Sequence, residues 1–184
     1  MSQIYNKSSN RAGINMNKKI AILATDGFED VELLYPYYRL QEAGYQVELI
    51  CLDLETIEGK HGYPMNPDLV IENAHAEEYS GLILPGGANN PDHLRRHKNV
   101  LQFVKKFDEQ KKLIAAICHA GWVLISAKIL NGRDATSYFA IKDDMLNAGV
   151  NFKDQSVVIS NNLITSRSPA DLPDFMKAIL EFLD

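Results

Sequence analysis

The fold is decided by the stretch Leu113-Ile114-Ala115-Ala116-Ile117-Cys118-His119-Ala120-Gly121. Its first five residues are apolar, which is typical of a strand buried on both faces of a parallel sheet. A helix of apolar residues is predicted almost immediately afterwards, over 122–130. Because the small residues Ala116 and Ala120 flank the cysteine between strand and helix, the stretch has the pattern of a nucleophile elbow.

Buried strands alternate with helices on both sides of this stretch. Further strands are predicted over 18–24, 46–52 and 82–84, helices over 29–43, 99–110, 140–147 and 172–182, and a β-hairpin over 157–165. This order predicts an α/β fold with a mostly parallel central sheet covered by helices on both faces. No repeat or linker divides the chain, so 18–184 are expected to form a single domain and the polar residues 1–17 a loose arm.

The composition argues against several classes of function. The net charge is −5, and acids and bases are interspersed, which gives no support for a nucleic-acid partner. Two cysteines do not make a disulfide framework, and no apolar stretch is long enough to span a bilayer. Residues 1–17 lack the apolar core of a secretory signal, so we expect a cytoplasmic protein that keeps its thiols free.

Three polar features follow the predicted strands. They are 26–29 after the first strand, Gly86-Gly87 after the third, and Cys118-His119 after the fourth. Ligands of open parallel sheets bind outside the carboxyl ends of the strands, so we expect these features to meet in one site.

Cys118 is predicted to be the nucleophile of this site. At a helix N-terminus the unpaired N–H groups and the helix dipole favour a thiolate, which lowers the pKa of the thiol. His119 would act as general base or orient the thiolate, although an adjacent side chain need not point at the sulfur. The alternative is an inert cysteine packed as a small hydrophobe, which is the interpretation preferred for Cys51.

The other two features each allow two interpretations. Gly86-Gly87 is either a plain turn or a source of backbone N–H groups for an oxyanion hole, and it lacks the spacing of a phosphate-binding loop. Glu29 is either a solvated acid at a helix start or a carboxyl that hydrogen-bonds the thiol. The remaining histidines show no metal-ligand spacing, so neither a metal nor another cofactor is predicted.

Six motifs in a fixed order carry a family resemblance. They are FEDVEL (28–33), GKHGY (59–63), LPGG (84–87), AICH (116–119), ATSY (135–138) and IKDD (141–144). Together they resemble the PfpI-type intracellular protease family over the chain from Lys18 to its end. That family belongs to the superfamily of the parkinsonism-associated deglycase and is related to class I glutamine amidotransferase domains.

The resemblance implies a flavodoxin-like three-layer sandwich with Cys118 as nucleophile. It implies that a protonated Glu29 donates a hydrogen bond to the thiolate. The implied oxyanion-hole and substrate-binding positions are Gly86, Gly87, Ala120 and Tyr138.

The resemblance also implies a site shared between subunits. In the family, a carboxylate from a neighbouring subunit orients the histidine, and the matching position here is Asp92. Aspartate is one methylene shorter than the glutamate of the family, and the loop 88–90 is one residue longer. We therefore expect self-assembly, as a homodimer or as a hexamer built as a trimer of dimers.

Three functions follow from such a thiol. The family label predicts a cysteine-dependent hydrolase of peptides, and the same elbow suits a glyoxalase III or deglycase acting on methylglyoxal or its adducts. Both reactions develop negative charge on oxygen, and both would serve stress or carbonyl-damage defence. The alternative from another class is a redox-sensing stress chaperone whose cysteine is oxidised by peroxide.

Overall fold

The computed structural model describes residues 18–184, so the predicted arm over 1–17 lies outside the described residues. The strands are β1 (Lys19–Leu23), β2 (Gln46–Cys51), β3 (Ile57–Glu58), β4 (Pro64–Met65), β5 (Leu69–Val70), β6 (Tyr79–Leu84), β7 (Leu113–Ile117), β8 (Asp134–Ala135), β9 (Asn151–Phe152), β10 (Val157–Ser160) and β11 (Leu163–Ser166). The α-helices are α1 (Asp30–Glu42), α2 (Asn89–Leu94), α3 (Lys98–Glu109), α4 (Gly121–Ser126), α5 (Lys142–Asn147) and α6 (Leu172–Leu183).

Seven strands form the central sheet, in the order β10-β11-β7-β6-β1-β2-β5. Every neighbouring pair is parallel except β10 and β11, which form the predicted antiparallel hairpin. The short pairs β3–β4 and β8–β9 lie outside this sheet. The predicted α/β fold with a mostly parallel sheet is confirmed.

Helices cover both faces of the sheet because the side chains of each strand alternate between two cores. On β1, Ile20 and Ile22 belong to the core that contains residues of α1 and α6. Ala21 and Leu23 belong to the other core, with residues of α3 and α4. All four side chains are fully buried, which explains why the strand has no polar face.

Two helices differ from the sequence prediction. The helix expected over 122–130 begins earlier and ends sooner: a 3₁₀ turn over Cys118–Ala120 leads directly into α4, which ends at Ser126. Helix α2 was not predicted, because Asn89, Asn90 and Pro91 are typical loop residues. Proline is nevertheless tolerated in the first turn of a helix, where its missing N–H has no helical partner.

The order of the sheet reverses between β1 and β6, which opens a crevice at their carboxyl ends. The fully buried Asn90 ties together the loops at this point. Its Nδ2 donates to the carbonyl oxygens of Pro85 (2.8 Å) and Gly86 (3.1 Å), and its Oδ1 accepts the N–H of Thr25 (2.8 Å). One side chain therefore fixes the turns that follow both strands.

None of the helices within residues 18–184 combines the length and the apolar character that crossing a membrane requires.

We predict that Asn90→Ala lowers the free energy of unfolding by roughly 2–4 kcal/mol, because it leaves the buried N–H of Thr25 and the carbonyl of Pro85 without partners. Urea denaturation measures the loss. The matched control is Asn89→Ala, an exposed neighbour, for which we expect a change of at most about 0.5 kcal/mol. Equal losses in the two variants would contradict the role given to Asn90.

Candidate functional site

Cys118 stands at the tip of β7 in a strained backbone conformation. Its φ angle is +61°, in the left-handed region that residues with a side chain rarely adopt. The N–H of Tyr138 donates to the Cys118 carbonyl oxygen at 3.1 Å and holds this turn in place. The predicted elbow is thus present, and the cysteine lines a cavity at the crevice between the strands.

Two glycines are required by the close packing around the thiol. A Cβ atom on Gly86 would lie 2.6 Å from the Cβ of Cys118 and 2.6 Å from Oε2 of Glu32. Gly87 has a φ of +80°, and a Cβ atom there would collide with the carbonyl oxygen of Gly27. The Pro-Gly-Gly turn can therefore approach the sulfur only because neither residue has a side chain.

The carboxyl beside the thiol belongs to Glu32, and not to Glu29 as the resemblance had implied. Glu32 is fully buried, accepts the N–H of Gly86 on Oε2 at 2.8 Å, and interacts with the side chain of Cys118. Glu29 precedes the helix, and its oxygens lie 3.4 Å from Nζ of Lys60 and 3.4 Å from Nε2 of His61. The expectation for Glu29 was therefore wrong.

A helical spacing in the sequence contained the signal for Glu32. Glu32, Pro36 and Leu40 are four residues apart and all lie on the buried face of α1. Residues at this spacing share one side of a helix, so a glutamate in register with buried apolar residues must face the interior.

Burial raises the pKa of Glu32 to about 8, and the N–H of Gly86 offsets this only in part. The carboxyl is therefore protonated at neutral pH. Its Oε1 atom is buried and has no partner that meets hydrogen-bond geometry, so it is the oxygen that can hold the proton. A neutral Glu32 can donate a hydrogen bond towards the sulfur, whereas an ionised one would repel a thiolate.

The pKa of the Cys118 thiol is raised, which contradicts the lowered pKa expected from the sequence. Burial is the largest cause, and the negative charge that Glu32 carries when ionised is the second. The N–H groups of His119 and Gly87 lower the pKa by hydrogen bonding, but they do not outweigh burial. The resting thiol is consequently neutral and requires a base before it can attack.

His119 is placed to be that base. Its Nδ1 atom lies 3.3 Å from Sγ of Cys118. Burial, and then the charge of Lys60, lower the pKa of the imidazole, so the ring is neutral at pH 7 and can accept a proton. The ring stacks on Tyr138 with 4.9 Å between centroids and meets Trp122 edge-on at 5.3 Å, which fixes its orientation.

The positions implied for substrate binding divide into two pairs. Gly87 and Tyr138 line the cavity. Gly86 does not, because its N–H is engaged by Glu32. Ala120 does not either, because its side chain is fully buried in the core shared with α3 and α4. The backbone donors at the sulfur are those of Gly87 and His119.

The cavity has a volume of about 720 Å³ and is bounded on one side by a turn over 59–63. Asp30 holds this turn, since its carboxylate accepts the N–H of His61 (2.9 Å) and of Tyr63 (3.2 Å). The turn places Lys60 in the cavity wall, opposite the residues that follow β6 and β7. The sequence contained the motif GKHGY (59–63) but did not indicate that it forms part of the cavity wall.

Asp92 does not reach His119 within this chain. It is exposed on α2 and is not part of the cavity wall. Its proposed contact with the histidine of a neighbouring subunit stays a prediction.

One group of side chains has the spacing of metal ligands. Atoms of Glu29, Asp30 and His61 lie within 4.8 Å of one another. Both oxygens of Asp30 already accept backbone N–H groups, and Glu29 pairs with Lys60. We therefore assign this group to holding the turn and not to binding a cation.

Several curated proteins are similar to this chain over almost their whole length. A Pyrococcus furiosus protein named deglycase PfpI is 41% identical over 165 residues, which are 90% of this chain and 99% of that protein. A Pyrococcus abyssi protein, also named a deglycase, is 44% identical over 165 residues with the same coverage. A Bacillus subtilis protein, YraA, whose name describes it as a candidate cysteine protease, is 44% identical over 171 residues, 91% of this chain and 99% of that one.

Solved structures share the fold. A two-domain protein of Anabaena variabilis, with DJ-1/ThiJ/PfpI-like and ferritin-like domains, superposes with a TM-score of 0.89 at 41% identity, over 90% of this chain and 48% of that chain. Drosophila melanogaster DJ-1beta superposes with a TM-score of 0.86 at 27% identity, over 91% of this chain and 90% of that chain.

The model of the DJ-1/PfpI family matches residues 18–182, which include the elbow, the buried glutamate and the Pro-Gly-Gly turn. On this match and on its near full-length relatives, the chain belongs to the DJ-1/PfpI family.

Proposed function

We propose that this protein is a cysteine-dependent enzyme of the deglycase type, which acts on 2-oxoaldehydes such as methylglyoxal or on their adducts with amines and thiols. The observation that carries the proposal is the 3.3 Å approach of the neutral His119 Nδ1 to the Cys118 sulfur. The two Pyrococcus relatives named deglycases support the class of substrate. The cytoplasmic location and the role in carbonyl-damage defence are parts of this proposal.

The first step adds the thiol to the aldehyde carbon. His119 accepts the thiol proton while the S–C bond forms and the electron pair of the C=O bond moves to oxygen. The N–H groups of Gly87 and His119 hydrogen-bond the sulfur in the resting site, and we assign them as the donors to this developing charge. With a free aldehyde, the proton then passes from His119 to the oxygen and gives a hemithioacetal. With an adduct, the S–C bond replaces the bond to the amine or thiol, and this leaving group takes the proton from His119.

The second step moves a hydrogen between two carbons of the bound substrate. His119 removes the proton from the carbon bonded to sulfur, a proton is added to the neighbouring carbonyl carbon, and the hydroxyl proton on the first carbon is transferred to the oxygen on the second. The product is a thioester of Cys118, which water hydrolyses to a 2-hydroxy acid and the free thiol. One carbon is oxidised and its neighbour is reduced. The overall reaction therefore converts the 2-oxoaldehyde and water into the 2-hydroxy acid, and it consumes no external oxidant.

Peptide hydrolysis is the second candidate, and the name of the Bacillus subtilis relative favours it. An amide carbonyl is less electrophilic than an aldehyde, and its amine leaves only when it is protonated. That demands a strongly oriented histidine. Because the hydrogen bonds within residues 18–184 give His119 no carboxylate partner, the geometry of one chain suits the aldehyde better.

We predict that Cys118→Ser reduces consumption of methylglyoxal by at least about 100-fold, since it removes the nucleophile. Spectroscopic assay of methylglyoxal and cleavage of fluorogenic peptides, run side by side, identify the reaction. The control is Cys51→Ala, because burial raises the pKa of that thiol to about 12 and Cys51 lies outside the cavity. Methylglyoxal consumption that survives Cys118→Ser would refute the proposal, and loss of peptide cleavage alone would select the peptidase.

We predict that the free energy of unfolding of Glu32→Gln increasingly exceeds that of the wild type as the pH rises. In the wild type the pKa of Glu32 in the folded state, about 8, exceeds its ordinary value of 4.5. The stability that the neutral carboxyl contributes is therefore fully present below pH 4.5 and is lost progressively as the pH rises to about 8. Glutamine keeps the acceptor for Gly86 and cannot ionise. Urea denaturation should therefore show a difference between variant and wild type that grows by a few kcal/mol (order of magnitude) from pH 4 to pH 8.

The outcome that contradicts a protonated Glu32 is a difference in unfolding free energy that stays constant over this pH range. Glu29→Gln serves as control for the loss of a carboxylate at the same cavity, because Glu29 contacts Lys60 and His61 and is not buried beside Cys118.

A further inference from the structure

A second cavity, of about 300 Å³, adjoins the one that contains Cys118. The two cavities share the side chain of Tyr138. They also share one turn, which contributes Pro169 to the first cavity and its neighbours Ser168 and Ala170 to the second. A substrate that reacts at Cys118 can therefore continue past the Tyr138 ring into the second cavity.

An exposed phenyl ring forms part of the second cavity. Phe139 is 80% exposed, more than any other large hydrophobic side chain within residues 18–184. Phe152 lies in the same wall, with Nζ of Lys142 5.6 Å from its ring centre. Apolar surface left open beside a reactive cavity is typical of a place where a ligand is bound.

The polar part of the wall is a guanidinium held by two carboxylates. Arg167 donates through Nε and Nη2 to Asp171 (2.8 and 3.1 Å) and through Nη1 to Asp154 (2.8 Å). Three of its five N–H groups are used, so two remain as donors in a fixed position. With Lys142, the wall contains two cations and two carboxylates, and its formal charges balance. Such a wall suits a neutral acceptor such as an amide carbonyl.

We propose that this cavity, the Phe139 subsite (Tyr138, Phe139, Phe152, Arg167 and Ser168), binds an uncharged peptide segment with a bulky apolar side chain, next to the residue whose reactive carbonyl adduct meets Cys118. The apolar side chain packs on Phe139, and a peptide carbonyl accepts a hydrogen bond from Arg167. The inference rests on the proposed function, since it assigns the specificity of the same site.

The test compares carbonyl adducts of short peptides. Methylglyoxal adducts are prepared on the lysine of blocked peptides that carry either phenylalanine or aspartate beside it, on each side in turn. We expect the wild type to show a higher kcat/KM for the phenylalanine peptides. Phe139→Ser should lower the ratio of the two kcat/KM values by about tenfold, because one apolar contact is lost.

Leu146→Ser is the matched control. Leu146 is also an exposed apolar side chain, but it lies on α5 outside the subsite, and its substitution should leave the ratio as in the wild type. Equal kcat/KM values for both kinds of peptide in the wild type, or equal changes in the two variants, would overturn the subsite. If Phe139→Ser keeps the wild-type ratio of kcat/KM values but sediments as a smaller species than the wild type, the subsite is overturned. This face would then be a contact between copies of the chain.

A binding measurement separates the subsite from the chemistry. In Cys118→Ser, unmodified phenylalanine peptide should shift the NMR signals of Phe139 and Arg167, and aspartate peptide should not. If the wild type processes no carbonyl compound but these shifts occur, the proposed reaction fails and the subsite stands. If carbonyl compounds are processed but neither shifts nor a peptide preference are seen, the subsite fails and the reaction stands.

Discussion

The hydrogen bond from the N–H of Gly86 to the buried carboxyl of Glu32 is the interaction on which the site depends. It joins the first turn of α1 to the loop after β6, and the carboxyl that it holds lies against Cys118. Because the surroundings exclude water, this carboxyl retains its proton at neutral pH. The neutral carboxyl of Glu32 therefore places no negative charge beside the thiol, and its O–H can donate a hydrogen bond to the sulfur.

The combination of a neutral carboxyl, a neutral thiol and a neutral imidazole determines the kind of chemistry available. None of these three groups is charged at rest, so in the proposed reaction charge develops only when a carbonyl carbon is within reach of the sulfur. Burial raises the pKa of the thiol, and burial also lowers that of His119, which keeps its Nδ1 free to accept the proton. Such a site is poorly suited to indiscriminate alkylation of its thiol and suits an electrophile held in place.

The fold was largely predictable from the sequence, because apolar runs of strand length alternate with helical patterns and leave few other topologies. The elbow at Cys118 was predictable for the same reason, since a buried strand meets a helix within a few residues. Glu32 was missed because acids are common in the first turn of a helix, where the dipole favours them, so its spacing with Pro36 and Leu40 was not taken as a sign of burial. The raised thiol pKa was missed because the helix terminus is local, whereas burial depends on segments such as the turn at Gly86, distant in sequence.

The two edges of the central sheet bear on behaviour in concentrated solution. The outermost strands are β5, with two residues, and β10, with four, whereas the interior strands β1 and β7 are nearly continuous apolar runs. An edge this short presents few free N–H and C=O groups to a strand from another molecule. The most apolar strands of the sheet are thus the ones that the sheet order shields, so intermolecular strand addition should require opening of the sheet itself.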